Sequence, residues 1–156
     1  MALISTPVRR LVAGARVGHL ATAGHDQLGL VPVCFVLVGD TIYHAIDAKP
    51  KRDPRTLARL MNIRTNPTAA FLVDHYEEDW RRLWYVLVRG RARMLEAPDP
   101  EHRRAIMALR RKYRQYRSEL PLDADAIVIA IDATTLRDWQ ASSAGRRRSS
   151  RRGSPG

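Results

Sequence analysis

The sequence predicts a small antiparallel β-barrel with helices covering its ends. Three observations lead there. Apolar and turn-forming segments follow one another as helix, three strands, helix, two strands, helix, strand. The first three strands are joined by tight turns, which a doubly wound parallel sheet with its long crossovers does not allow. Closing such a meander on itself removes the exposed edges it would otherwise carry.

The elements can be justified in order. Ser5 to Ala15 reads as a short helix, with Thr6 as cap before Pro7 and Val8, Leu11 and Val12 on one side. Arg16 to Thr22 reads as a strand closed by a turn at Ala23–Asp26. Leu28 to Val38 is an almost unbroken apolar run rich in β-branched residues, which suits one strand buried on both faces. Pro32 interrupts it, so that point should be an edge, a bulge or a place where the backbone meets something other than a strand. Gly39-Asp40 is a two-residue turn, and Thr41 to Ile46 returns. A helix over 54–65 starts at Asp53-Pro54 and stops at Asn66-Pro67. Thr68 to Asp74 and Leu83 to Leu95 are strands flanking the polar insert His75 to Arg82. Pro98 and Pro100 then open a helix in which Ile106, Leu109, Tyr113 and Tyr116 recur at three and four. Its other face, Arg103, Arg104, Arg110, Arg111 and Lys112, reads as solvated. A last strand pair, or one bent strand, covers Ala126 to Ile131 and Thr135 to Gln140.

The composition is that of one globular domain, residues 1–140: 156 residues in all, 45% hydrophobic and 28% charged. The single cysteine, Cys34, excludes an internal disulfide and fits a reducing, cytoplasmic setting. No run is long and apolar enough for a membrane span, and MALISTPVRRLVAGARVG lacks the three regions of a signal peptide. The net charge of +11 is uneven. Residues 141–156 hold five arginines and no acid among Ser and Gly, which predicts a disordered tail. The tail reads as a solubilising end, with non-specific nucleic-acid contact the alternative. The barrel itself lacks the interleaved aromatic and basic residues of a single-strand platform.

The densest chemistry lies in DAKPKRDPRTLARLMNIRTNP, residues 47–67. Arg55, Arg59 and Asn62 fall at steps of four and three on one helix face, while Leu57, Leu60 and Met61 point towards a core. Guanidinium groups near a helix N-terminus join N–H groups that already favour anions. Lys49 and Lys51 add charge on the approach, with Asp47 and Asp53 the nearby acids. The stretch reads as a phosphate cradle; a solvated charged face is the plain alternative.

With LATAG (20–24), GLVPVCFVL (29–37), RLMNIRTNPTAAFLVDHY (59–76) and DWRRLWYVLVRGRARML (79–95), the chain resembles the split-barrel flavin and deazaflavin oxidoreductases related to pyridoxamine 5′-phosphate oxidase. Within that superfamily it is most similar to the actinobacterial branch of probable coenzyme F-420-dependent enzymes. The resemblance covers about residues 5–140. It implies a six-stranded split barrel, a homodimer with the cofactor across the subunit interface, and a small-molecule substrate. It implies further that the cofactor phosphate rests on a basic residue of the helix after the third strand. Arg59 occupies that position, where relatives commonly carry lysine; arginine keeps the charge and adds bidentate reach. Lys49, Lys51 and Arg55 are helpers. Pro32, Val33 and Cys34 would run along the ring system, flanked by His44, Ala45 and Ile46. Of Trp80 and Trp84, Trp84 is the candidate for ring stacking or the substrate pocket. The implied cofactor is coenzyme F-420, with flavin mononucleotide (FMN) the alternative, and a non-catalytic carrier is the third reading.

Other chemistries find no support in spacing. His19, His25, His44, His75 and His102 are scattered without metal-ligand intervals. Asp74, Glu77, Glu78 and Asp79 read as an acidic loop. Cys34 has neither a second cysteine nor a histidine beside it in sequence, so a nucleophilic role is not expected. No catalytic side-chain constellation stands out, which fits chemistry carried by a cofactor.

Overall fold

The computed structural model describes residues 2–46 and 54–141, without the side chains of residues 54–57. Three helices, α1 (Thr6–Gly14), α2 (Pro54–Thr65) and α3 (Pro100–Lys112), surround seven strands. The strands are β1 (Gly18–Ala23), β2 (Leu28–Val33), β3 (Val36–Val38), β4 (Thr41–Ile46), β5 (Thr68–His75), β6 (Trp84–Leu95) and β7 (Ile127–Gln140). All pair antiparallel in one curled sheet of order β2-β1-β5-β6-β7-β4-β3.

The expected six strands are therefore seven, because the run Leu28–Val38 divides at Cys34-Phe35. Its first half pairs with β1 and its second with β4, so one apolar run supplies both ends of the sheet order. Pro32 stands opposite His19 in the edge strand β2, where its missing N–H is tolerated. Phe35 has left the ladder, and a distant side chain serves its backbone. The Tyr113 hydroxyl accepts from the Phe35 N–H at 3.0 Å. Its single proton lies between the Phe35 carbonyl at 3.0 Å and the Arg16 carbonyl at 2.8 Å. The Phe35 ring is fully buried and meets Phe71 edge to face at 4.9 Å.

The final segment is one strand with a bend rather than two. The β6–β7 register shifts between Arg89 and Gly90, and the Thr134 hydroxyl donates to the Arg89 carbonyl at 3.1 Å. A Cβ at position 90 would run into the Asp132 carbonyl, so only glycine fits the bulge. Ser5 rather than Thr6 is the N-cap of α1, with Pro7 in the first turn.

Two apolar clusters hold the fold. Inside the curl, Leu20, Phe35, Ile42, Phe71, Val86 and Ile129 pack with residues of α1 and α2. Under α3, Tyr43, Ala45, Ile106, Leu109, Val128 and Ala130 form the second. β4 serves both, since alternation sends Ile42, His44 and Ile46 one way and Tyr43 and Ala45 the other. Arg93 ties the second cluster's rim, donating to Glu101 (2.7 and 2.9 Å) and Asp132 (2.5 and 3.0 Å).

The α3 face expected to be solvated is only partly so. Arg103, Arg104 and Arg111 are exposed, but Lys112 is half-buried, with Nζ 3.9 Å above the Phe35 ring. Burial lowers its pKa to about 8. No helix among the described residues is long and apolar enough to cross a membrane. Most of the arginine-rich tail, residues 142–156, lies outside the described residues.

Candidate functional site

The site forms where α2 leans against the β1–β2 hairpin. Asn62 projects from α2, is 6% exposed, and its Nδ2 donates to Thr22 Oγ1 at 3.2 Å. That bond joins two of the sequence motifs, RLMNI and LATAG, in one contact. A Cβ on Gly29 would stand 2.6 Å from Thr22 Oγ1 and 3.4 Å from Asn62 Nδ2. The glycine thus lets the helix side chain reach the strand. Beside this contact lies a cavity of about 400 Å³, walled by Thr22, Leu30, Pro32, Arg59 and Asn62 among others.

Arg59 is held on a buried imidazole. Its Nη1 lies 2.8 Å from His44 Nε2, and His44 Nδ1 lies 3.1 Å from the Cys34 carbonyl. A guanidinium only donates, so Nε2 is the acceptor, and Nδ1 carries the proton given to Cys34. His44 is 6% exposed because it shares the inward face of β4 with Ile42 and Ile46. Burial first, and the Arg59 charge second, lower its pKa to about 3. The imidazole is neutral at physiological pH and acts as a fixed acceptor for the cation. The chain Cys34 carbonyl, His44, Arg59 therefore ties a permanently charged residue of the cavity lining to β4.

The other sequence candidates fall in three groups. Lys49 and Lys51 lie outside the described residues, as does the side chain of Arg55. Pro32 lines the Arg59 cavity, whereas Val33, Ala45 and Ile46 are 6%, 3% and 8% exposed and act as packing. Cys34 is half-buried and contributes its carbonyl to His44. Trp84 sits at the far end of β5–β6, stacked on His75 at 6.2 Å and 18°, and lines clefts that share no residue with the Arg59 cavity.

Sequence reasoning missed Thr22, Gly29 and Leu30. Thr22 lies within LATAG, and period-two alternation with Leu20 pointed it inward, so a signal for it was present. Among the described residues no group of three or more His, Cys, Asp or Glu side chains could hold a metal.

The profile of the family described as pyridoxamine 5′-phosphate oxidase matches residues 6–137. Solved structures share the fold at low identity. A conserved hypothetical protein from Mycobacterium tuberculosis aligns with TM-score 0.68 and 20% identity over 92% of this chain and 90% of that one. A protein from Mesorhizobium loti described as FAD-binding aligns at 0.65 and 19%, covering 86% and 94%. HutZ from Vibrio cholerae, described as a heme storage protein, aligns at 0.66 and 12%, covering 90% and 95%. No curated protein sequence matches this chain.

Proposed function

We propose a function from one premise: the chain belongs to the pyridoxamine 5′-phosphate oxidase family. It is an oxidoreductase that binds a flavin-type nucleotide in the Arg59 cavity. The finer reading is coenzyme F-420, whose reduced deazaflavin supplies a hydride to an unsaturated organic substrate. The observation that carries the proposal is Arg59, a cation braced by a buried neutral histidine at the wall of an open cavity. An anionic phosphate beside that guanidinium gains a charge-assisted hydrogen bond. The donor set fits such a group, because Arg59 supplies charge and Asn62 and Thr22 supply neutral polar atoms along one wall. The apolar wall of Leu30 and Pro32 suits the flat face of a ring.

The chain's own contribution is position and electrostatics. His44 fixes the guanidinium, so little side-chain freedom is lost when an anion binds. Lys49, Lys51 and Arg55 belong to the proposal as further anion ligands. They suit a polyanionic cofactor tail better than one phosphate. The family resemblance also supports a homodimer. Leu28 and Leu30, 90% and 76% exposed on the edge strand β2, offer the apolar surface a second copy would cover.

FMN is the second reading, favoured by the structural neighbour described as FAD-binding. Fluorescence titration with each cofactor separates the two. The primary reading expects tight F-420 binding, and it fails if FMN binds tightly and F-420 does not bind. Replacing Arg59 with Ala should weaken the bound cofactor by about 1.5–3 kcal/mol. Unchanged affinity would remove Arg59 from the site. A carrier without activity, the third reading, would bind cofactor yet show no turnover with any acceptor.

A further inference from the structure

A second cleft lies between α3 and the segment 122–126, and it shares no lining residue with the Arg59 cavity. Two side chains of the helix staple that segment in place. His102 Nε2 donates to the Ala126 carbonyl at 2.7 Å, and Arg110 donates to the Leu122 carbonyl. The two donors are about 12 Å apart along the helix axis, so the segment runs antiparallel to α3 and is fixed at both ends. Between the staples the cleft encloses about 530 Å³. Ile106, which is buried, and Met107, which is half-exposed, give it an apolar floor.

Three polar groups meet at one end of this cleft with bonding capacity to spare. His102 is 2% exposed, and because its Nε2 holds the proton given to Ala126, Nδ1 is an acceptor in the neutral ring. Nδ1 has no partner among the described residues, yet unlike His19 Nδ1 and Lys112 Nζ it is not sealed from solvent. A buried ring with an open acceptor calls for a donor. Arg103 adjoins His102 on the helix wall and Asp125 adjoins Ala126 on the other, so the 2.7 Å staple brings a cation and an anion to the same place. Both are exposed, and among the described residues neither is paired with the other or with any other side chain. Asp99, at the helix start, is already committed as the N-cap, accepting from the Glu101 N–H at 2.7 Å. The free set is one cation, one anion and one neutral acceptor beside an apolar floor.

We propose that this cleft binds a free α-amino acid with an apolar side chain. Its carboxylate accepts from the Arg103 guanidinium, which offers two parallel donors. Its ammonium donates to Asp125 and to His102 Nδ1, two acceptors that a carboxylate alone would leave unused. Its side chain lies along Ile106 and Met107. The proposal does not rest on the function assigned to the Arg59 cavity.

Leucine, 4-methylpentanoate and isoamylamine test it, because they share one side chain and the last two each lack one of the charged groups. Binding of labelled leucine to the full chain is measured by equilibrium dialysis, with the other two as competitors. Leucine should bind saturably, and each competitor should bind at least about tenfold more weakly. Arg103→Gln should cost leucine at least about tenfold and leave isoamylamine unchanged. Asp125→Asn should also weaken leucine, but leave 4-methylpentanoate unchanged. Arg59→Ala should leave leucine affinity as it was, which separates this cleft from the cofactor cavity. Failure of leucine to bind saturably, equal affinity for either competitor, or unaltered leucine affinity in Arg103→Gln or Asp125→Asn would each overturn the proposal. Loss of leucine binding in Arg59→Ala would overturn it as well.

Discussion

Lowering the pH isolates His44, the residue that braces Arg59. In the folded chain its pKa is about 3, against an ordinary value of 6.5. Between those values the unfolded chain binds a proton that the folded chain refuses. Stability therefore rises with pH through that window and is lost as the pH falls from 6.5 towards 3. At pH 4.5 the folded imidazole is still neutral, while the unfolded one is two pH units below its midpoint. At roughly 1.4 kcal/mol per unit the loss relative to pH 7 is on the order of 2–3 kcal/mol. The carboxylates titrate in the same range, so the measurement is a difference of differences. Urea unfolding of the native chain and of His44→Gln is followed at pH 7.0 and 4.5. The amide of glutamine can still donate to the Cys34 carbonyl and accept from Arg59, but it has no proton to gain. The native chain should lose on the order of 2–3 kcal/mol more than the variant between the two pH values. Equal losses, or a His44 imidazole resonance (identified by its absence in His44→Gln) titrating near pH 6.5 in the folded protein, would refute the buried neutral brace.

Three further outcomes follow from the same coordinates. Lys112→Met should stabilise the protein at pH 7 by about 1 kcal/mol, a figure discounted for the half-exposed side chain. With a folded pKa of about 8 against 10.5, native stability should rise as pH climbs between those values, and the variant should lack that rise in urea titrations. Tyr113→Phe leaves the buried Phe35 N–H without its partner and should cost about 1–3 kcal/mol in chemical denaturation. Gly29→Ala places a Cβ 2.6 Å from Thr22 Oγ1, so the Asn62–Thr22 contact must give way. Thermal unfolding should show a loss of about 1–3 kcal/mol, with weakened cofactor binding alongside.

What was legible in the sequence depended on how far away the deciding atoms lie. The bounds of α2 and β4 were readable because Pro54, Asn66-Pro67 and Gly39-Asp40 act within one turn of the ends they set. Arg59 was singled out by spacing and resemblance together. The division of the apolar run at Cys34-Phe35 was not readable, since the group that replaces the lost ladder bonds is Tyr113, 78 residues away. Lys112 shows the opposite failure, where the signal was present and composition overrode it. Positions 105, 109 and 112 step by four and three along the buried row of α3, so the lysine continues an apolar stripe. Reading the arginine run as one solvated face placed Lys112 on the wrong side of the helix.

His44 explains why the site itself was only half visible. Period-two alternation from Ile42 to Ile46 already turns its ring inward, and a lone buried histidine usually signifies nothing more than a satisfied core residue. Its role appears only when α2 folds back and Arg59 comes within 2.8 Å of Nε2. A neutral histidine next to a cation looks unfavourable as a pair, because burial and the guanidinium both resist protonation. That resistance is what makes it useful. An aspartate in its place would cancel the guanidinium charge, and a lysine would repel it. A buried neutral imidazole lends an acceptor without lending charge, so it holds Arg59 in place without itself offsetting the guanidinium charge.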